Sequence, residues 1–117
     1  MRSPEKQLSD YLKALAPPQR LKIILAIGED EVCVCHLEAI FPHMRQAYIS
    51  QHLMALREAG VLVSRKEGRY VFYRLKDVQL LDTLAALAER VGLSLSASHA
   101  HTECACPSCQ TIALETP

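Results

Sequence analysis

Residues 46–75 read QAYISQHLMALREAGVLVSRKEGRYVFYRL, and the period of their apolar positions changes once. Up to Gly60 the apolar residues follow the helical spacing i, i+4, i+7. Beyond it, valine, tyrosine and phenylalanine dominate, as they do in paired strands. The pattern predicts a helix over about 46–59 and a β-hairpin with strands over 61–66 and 69–75. The predicted buried stripe of the helix consists of Ile49, Leu53 and Leu56.

Four further helices are predicted, three before this stretch and one after it. Pro4 follows a hydroxyl cap, Pro18 starts the second helix and Gly28 ends it. The third helix, about 35–41, is short and is stopped by a proline, and the fifth spans about 78–91. A short helix, a turn, a second helix and a basic hairpin follow the order of a winged helix-turn-helix. The predicted fold class is therefore mainly α with a β-hairpin wing.

The composition points to one domain with a locally basic region. The chain has 117 residues, half of them hydrophobic, which fits a single domain. Its formal net charge is zero, but residues 45–76 hold seven Lys or Arg against two acids, the kind of local charge that attracts phosphates. No apolar run approaches the roughly 18 residues of a membrane span, and the N-terminus lacks an apolar signal region, so a cytoplasmic protein without membrane contact is expected. Residues 93–117, rich in Ser, Ala, His and Cys, are predicted to form a mobile tail.

The outer face of the helix over 46–59 carries side chains predicted to meet DNA. In a winged helix-turn-helix the second helix of the motif enters the major groove, where glutamine pairs with adenine and serine, tyrosine or histidine contact bases or phosphates. Basic residues around the hairpin tip suit phosphate contacts. A solvated basic helix and hairpin on an ordinary small domain is the alternative. The candidate DNA-binding residues are Arg45, Gln46, Tyr48, Ser50, Gln51, His52, Arg65, Lys66 and Arg69.

Several segments resemble the ArsR/SmtB family of winged-helix, metal-responsive repressors. They are LAPPQRLKIIL at 15–25, ISQHL at 49–53, LREAGVL at 56–62, and Gly68-Arg69 through Tyr73-Arg74-Leu75. The resemblance covers roughly residues 5–91. It implies a homodimer built from the first and last helices, an inverted-repeat operator in double-stranded DNA, and repression released by an inducer. Under this resemblance, residues 1–92 form the DNA-binding and dimerisation domain of a dimeric winged helix-turn-helix.

The cysteines form two clusters, one of which is the pair Cys33 and Cys35. Residues 33–37, Cys-Val-Cys-His-Leu, resemble the Cys-Val-Cys motif on the third helix of arsenic, cadmium and lead sensors of this family. Two thiolates at this spacing can share one soft ion, but trivalent arsenic typically takes three sulfurs, and cadmium and zinc prefer four ligands. Two family patterns are missing here. Glu38 stands where an arsenic sensor has a third cysteine, and residues 1–32 contain no cysteine.

The missing ligands are predicted to lie in the tail. About a dozen residues separate the fifth helix from the first tail cysteine, a linker of roughly 40 Å when extended, which reaches the third helix of either subunit. The alternatives are a separate tail metal site, a tail disulfide, and Cys33 and Cys35 as ordinary core residues. His99 and His101 either join a tail site or are simply solvated. The predicted metal ligands are Cys33, Cys35, Cys104, Cys106 and Cys109.

These features predict a metal- or metalloid-responsive transcriptional repressor. It binds operator DNA as a homodimer and is released when As(III), Cd(II) or Pb(II) binds cysteine thiolates. A soft ion is favoured over zinc because the predicted ligands are all sulfur and the fifth helix lacks the histidine used by zinc and nickel sensors of the family. A thiol-based redox or sulfide sensor of the same fold is the alternative. An enzyme is not predicted, since the chain has neither a phosphate loop nor a nucleophile–base spacing, and no organic cofactor is expected.

Overall fold

The computed structural model describes residues 2–95, which form five helices and three strands. The predicted winged helix-turn-helix is confirmed, with α3 and α4 as the helix-turn-helix pair and the β2–β3 hairpin as the wing. Met1 and residues 96–117 lie outside the described part, and with them the predicted tail ligands Cys104, Cys106 and Cys109. The elements are α1 (Pro4–Leu15), α2 (Pro18–Ile27), β1 (Val32–Cys33), α3 (Val34–Ile40), α4 (Gln46–Glu58), β2 (Leu62–Glu67), β3 (Tyr70–Leu75) and α5 (Leu80–Arg90).

The helix ends follow the local sequence signals. The hydroxyl of Ser3 accepts a hydrogen bond from the backbone N–H of Lys6 at 3.1 Å and so caps α1. Gly28 ends α2 with a φ of 56°, a left-handed conformation that glycine adopts at little steric cost. α5 begins later than predicted because its approach is a turn, in which the N–H of Gln79 donates to the carboxylate of Asp77 at 2.9 Å.

The main core lies beneath α4. Ile49, Leu53 and Leu56 are fully buried, as their spacing predicts. Burying one such side chain contributes about 1.5–3 kcal/mol relative to leaving it exposed. This stripe therefore anchors α4 and turns the opposite side of the helix outward. The residues packed with it include Ile23, Ile24, Ile27, Leu37, Val61, Leu62 and Leu75.

A third strand, β1, was not predicted, and it changes the surroundings of the cysteine pair. The sheet is antiparallel in the order β1-β3-β2, so β3 lies in the centre. Val32 pairs with Tyr73, and Cys33 pairs with Phe72. Two residues are too few to show the alternation that identifies a strand. Their pairing places the first cysteine on the sheet that forms the wing.

Apolar side chains remain exposed on α1 and α5. Each helix buries one side: Ala14 and Leu15 on α1, and Leu84 and Ala88 on α5. None of the helices in residues 2–95 is long and apolar enough to cross a membrane. The exposed apolar residues on these two helices and just after α5 are Leu8, Leu12, Leu87, Val91, Leu93 and Leu95.

Candidate nucleic-acid interface and thiol site

The exposed side and N-terminal end of α4 carry most of the predicted base-reading residues. Tyr48 and Gln51 are exposed, and Ser50 is half-buried. Arg45 is the cap residue of α4, with extended backbone, and Gln46 opens the helix; both are exposed. Together with the exposed cations of the wing, Lys66 and Arg69, these residues are called the reading surface below.

His52 takes a different position from these residues. Its Nδ1 accepts a hydrogen bond from Nε of Arg20 at 3.0 Å, and Arg20 also donates to the carbonyl of Ala14 at 3.2 Å. Its Nε2 is buried and has no hydrogen-bond partner among residues 2–95, and the ring packs edge-on against Tyr48. Burial, and then the nearby charge of Arg20, lower the pKa of His52 below its ordinary value. The ring ties α4 to α2, which does not favour the predicted direct DNA contact.

Two predicted cations at the wing tip are open to solvent. Lys66 and Arg69 are exposed on either side of the turn at Gly68. No ion pair involves either of them in the part of the chain that the structure describes. The guanidinium of Arg69 lies 5.3 Å from the ring centroid of Tyr70 and donates to its hydroxyl at 3.2 Å. Within residues 2–95, both cations therefore present positive charge that is not paired with a carboxylate.

Arg65, the third predicted wing cation, is exposed but forms ion pairs with two carboxylates. Its Nη2 lies 2.7 Å from a carboxylate oxygen of Glu31, its Nε donates to the same oxygen at 2.8 Å, and its Nη1 lies 2.9 Å from Glu67. Its Cζ is 4.6 Å from the ring centroid of Phe72. The hydrogen bonds to Glu31 and Glu67 raise the pKa of Arg65 above its ordinary value. Because two carboxylates already offset its charge, Arg65 is less suited to a phosphate than the two exposed wing cations.

Cys33 and Cys35 meet at the junction of β1 and α3. The structure joins them as a disulfide, with Cα atoms 5.4 Å apart. Cys33 is 2% exposed, and its sulfur accepts a hydrogen bond from the backbone N–H of His36 at 3.4 Å, as the cap of α3. Reduction gives two thiols at one place, which can bind the same soft ion. The disulfide form offers no thiolate, so metal binding requires the reduced pair.

Aromatic residues of the wing surround the sulfur pair. Cys33 packs against Phe72, and Cys35 and Tyr70 lie against this small cluster. Sequence reasoning did not include the two aromatic residues in the site, because the strand that brings Cys33 to them has no periodic signal. Their alternation along β3 is the one cue that they share a face of the sheet.

A cavity of about 400 Å³ opens beside the sulfur pair. Its walls come from the β1–α3 junction, the N-terminal half of α4 and strand β3. Gln46 and Ser50 of the reading surface line the same cavity as Cys35, and so does Arg69 from the wing. The sulfur pair and the elements predicted to meet DNA therefore adjoin within one subunit.

The cavity beside the sulfur pair holds some of the donor groups that a soft ion requires. Two sulfurs suit arsenite, cadmium or lead, and Glu38 lines the same cavity. Among residues 2–95, no group of three or more Cys, His, Asp or Glu side chains is placed to hold a metal ion. Cys33 and Cys35 are the only cysteines within residues 2–95, so a three-sulfur site in one chain needs at least one further cysteine from outside them.

Residues 17–64 match the sequence profile described as bacterial regulatory protein, arsR family. The structure resembles that of HlyU from Vibrio cholerae N16961, with a TM-score of 0.66 and 31% sequence identity, over 74% of this chain and 97% of that one. The chain belongs to the ArsR family of bacterial regulatory proteins. Membership confirms the resemblance seen in the sequence, and the matched profile describes regulatory proteins and not enzymes.

The names of two curated relatives refer to resistance to cadmium and to arsenicals. The cadmium resistance transcriptional regulatory protein CadC of Listeria innocua is 37% identical over 78 residues, which cover 66% of this chain and 65% of that protein. The arsenical resistance operon repressor of Escherichia coli is 47% identical over 64 residues, or 54% of each protein. This ArsR-family chain thus matches about half to two thirds of the length of these two curated relatives.

Proposed function

We propose that this chain is a homodimeric transcriptional repressor that releases operator DNA when a soft metal or metalloid ion binds Cys33 and Cys35. The observation that carries the proposal is the shared cavity, in which the sulfur pair adjoins Gln46 and Ser50 of α4 and Arg69 of the wing. The relatives named for cadmium and arsenical resistance support a soft ion as the inducer. Because operator DNA is the proposed partner, we place the protein in the cytoplasm.

Dimerisation through α1 and α5 accounts for their exposed apolar residues. Leu12 on α1 and Leu87 on α5 are both about half exposed in the single chain, at 48% and 56%. A second copy covers such faces through a two-fold interface, and two-fold symmetry matches an inverted-repeat operator. Double-stranded operator DNA and a second copy of the chain are thus the proposed partners.

On DNA, α4 enters the major groove and the wing reaches the backbone. Gln51 is exposed and suited to bidentate pairing with adenine, with Tyr48 and Ser50 beside it. Lys66 and Arg69 neutralise phosphates. Arg45, at the N-terminal end of α4, adds a further phosphate contact.

The inducer site uses Cys33 and Cys35 together with sulfur from the tail. Arsenite takes three sulfurs and cadmium up to four ligands, so Cys104, Cys106 and Cys109 supply the remainder. An ion changes DNA affinity only as far as its affinity differs between the DNA-bound and released conformations. Bringing tail cysteines to a site beside α4 is a direct way to create that difference.

A DNA-binding titration against a panel of ions tests this function. Operator affinity of the reduced chain is measured with arsenite, Cd²⁺, Pb²⁺ and Zn²⁺, and we expect release with the first three at lower concentrations than with zinc. Deleting residues 99–117 raises the inducer concentration required while leaving operator binding intact. Undiminished release by the truncated chain would remove the tail from the site, and no release by any ion would reject metal sensing.

A thiol-based redox sensor is the second candidate, favoured by the disulfide between Cys33 and Cys35. Hydrogen peroxide oxidises two thiols to one disulfide and is reduced to two molecules of water, so the step balances. Operator binding is compared in chelator-treated buffer with a reductant, with peroxide and with a persulfide, and peptide mass spectrometry identifies the linked cysteines. DNA release by peroxide or persulfide, with none caused by ions under reducing conditions, would replace metal sensing by this function.

A further inference from the structure

A continuous row of side chains runs across the sheet from the sulfur pair to the outer wing strand. In the register of the sheet, Cys33 lies opposite Phe72, and Phe72 lies opposite Arg65. Directly opposed residues place their side chains on the same face, so these three form one row, called the sulfur row below. Phe72 is fully buried and packs against Cys33. The centroid of its ring lies 4.6 Å from Cζ of Arg65.

Arg65 closes this row at its outer end by holding two parts of the chain together. One of its carboxylate partners, Glu31, lies just before β1 and two positions before Cys33. The other, Glu67, is the last residue of β2 and adjoins the turn at Gly68. The Arg65 guanidinium therefore connects the segment that carries the sulfur to the tip of the wing.

We propose that Arg65 is a positioning residue of the sensor, which transmits the state of the Cys33 sulfur to the wing and does not itself bind phosphate. The proposal rests on the soft-ion response proposed above. An ion bound by Cys33 draws the sulfur toward its other ligands and away from the Phe72 ring. The segment before β1 moves with it, and Arg65 can no longer bond Glu31 and Glu67 together. The wing tip, with its phosphate-seeking cations, then loses its orientation relative to α4.

The two ion pairs allow this connection to be tested without disturbing the core. Arg65 is about half exposed, with a side-chain accessibility of 49%, and exposed ion pairs contribute little to overall stability. Arg65→Gln and Glu31→Gln both break the connection, yet they change the net charge in opposite directions. If net charge alone were responsible, the two variants would change DNA affinity in opposite directions. If the lost connection is responsible, both variants change the response of DNA affinity to the ion in the same direction.

The experiment uses the full chain and an operator duplex recovered by in vitro selection with the wild-type protein. DNA dissociation constants are measured with and without cadmium chloride, and separately sodium arsenite, over a range of salt concentrations. Their ratio is the coupling factor, which spans about 5- to 150-fold in typical allosteric proteins. Thiolate-to-cadmium absorbance reports ion binding independently, and thermal unfolding reports folding.

We expect both variants to bind cadmium as the wild type does and to lower the coupling factor by about 1.5- to 5-fold, the range that exposed ion pairs give. Lys66→Gln is the matched control on the neighbouring wing residue. It weakens DNA binding in both states, lowers the salt slope by about 0.9 and keeps the coupling factor.

Three results would overturn the proposal. A wild-type coupling factor in Arg65→Gln and Glu31→Gln would exclude a connecting role. A salt slope lowered by about 0.9 in Arg65→Gln, with coupling retained, would make Arg65 a phosphate contact like Lys66. A wild-type chain that binds cadmium without any change in DNA affinity would reject the proposed function itself, and this inference with it.

Discussion

The reading surface and the sulfur row are built in opposite ways. Gln51 and Arg69 are exposed and owe their positions to one helix and one hairpin. Phe72 and Cys33 are buried, and they contact each other although they are far apart in the sequence. Exposed side chains can be exchanged at little cost in stability, whereas a buried contact affects the fold when it changes. The difference in burial thus separates the residues proposed to contact DNA from those proposed to transmit the response to an ion.

The largest expected effect distinguishes the two regions by stability. Phe72→Ala removes a fully buried ring and should lower the free energy of unfolding by about 3–5 kcal/mol. Met54→Ala, on the exposed side of α4, should change it by less than about 0.5 kcal/mol. Denaturant unfolding followed by circular dichroism measures both, with Phe72→Leu as a control that keeps most of the buried apolar volume and should cost less than Phe72→Ala. Similar losses for Phe72→Ala and Met54→Ala would show that burial does not separate the regions.

Substituting the cysteines should abolish the response without abolishing DNA binding. Cys33→Ser and Cys35→Ser each remove one of the two cysteine sulfurs within residues 2–95, so the whole coupling factor, about 5- to 150-fold in typical cases, is lost. Cys33→Ser should also lower stability more, because Cys33 is buried and Cys35 is half-buried. Fluorescence anisotropy on operator DNA with added cadmium measures the response. If cadmium still released either variant completely from DNA, the inducer site would not depend on Cys33 and Cys35.

Gln51→Ala should reduce sequence discrimination. A glutamine that pairs with a base contributes about 1–3 kcal/mol of preference for that base. The affinity for the operator should fall by this amount, while the affinity for an unrelated duplex stays the same. An equal fall on both duplexes would make Gln51 a backbone contact.

Arg69→Ala should weaken binding to all duplexes to a similar extent. If Arg69 neutralises one phosphate, its loss lowers the slope of log affinity against log salt by about 0.9. Titrations at several salt concentrations on specific and unrelated DNA supply the slope. An unchanged slope would place Arg69 away from the DNA backbone.

The smallest effect concerns His52 and the pH dependence of stability. Its pKa is lowered in the folded state, so the unfolded chain takes up this proton first as the pH falls below about 6.5. The free energy of unfolding should therefore decrease on acidification below that value and stay level above it. Urea unfolding at a series of pH values detects this, and His52→Gln should show a weaker dependence. If the pH dependence of the free energy of unfolding is the same in His52→Gln, other titratable groups cause it.

The elements that could be predicted from the sequence are those whose residue pattern is local. The helical spacing of Ile49, Leu53 and Leu56 predicted both α4 and the face that it buries. The change of period after Gly60 predicted the wing, whose observed strands differ from the predicted ones by about a residue at their ends. These predictions succeed because neighbours along the chain determine the geometry.

Side-chain contacts between residues that are far apart in the chain could not be predicted from the sequence. The ion pair of Arg65 joins it to Glu31, 34 residues away, and could not be predicted from its position near the hairpin tip. The bond from Arg20 to the ring of His52 spans 32 residues and was likewise not predictable, while the DNA contacts of both residues stay predictions. No local pattern encodes such contacts, and the same holds for the short strand that brings Cys33 to the wing.

The join between α4 and the wing fixes the base of the hairpin relative to the end of the helix. At the end of α4, the N–H of Gly60 bonds the carbonyl of Arg57 at 3.0 Å, and the N–H of Val61 bonds that of Leu56 at 2.9 Å. The carbonyl of Val61 then accepts from the N–H of Lys76 at 3.0 Å, which closes the hairpin onto the same turn. These bonds fix the base of the hairpin to the end of α4, while the tip depends on the contacts of Arg65. Under the proposed function, the number of base pairs between a groove contact and a backbone contact in one operator half should therefore be constant in the inducer-free protein.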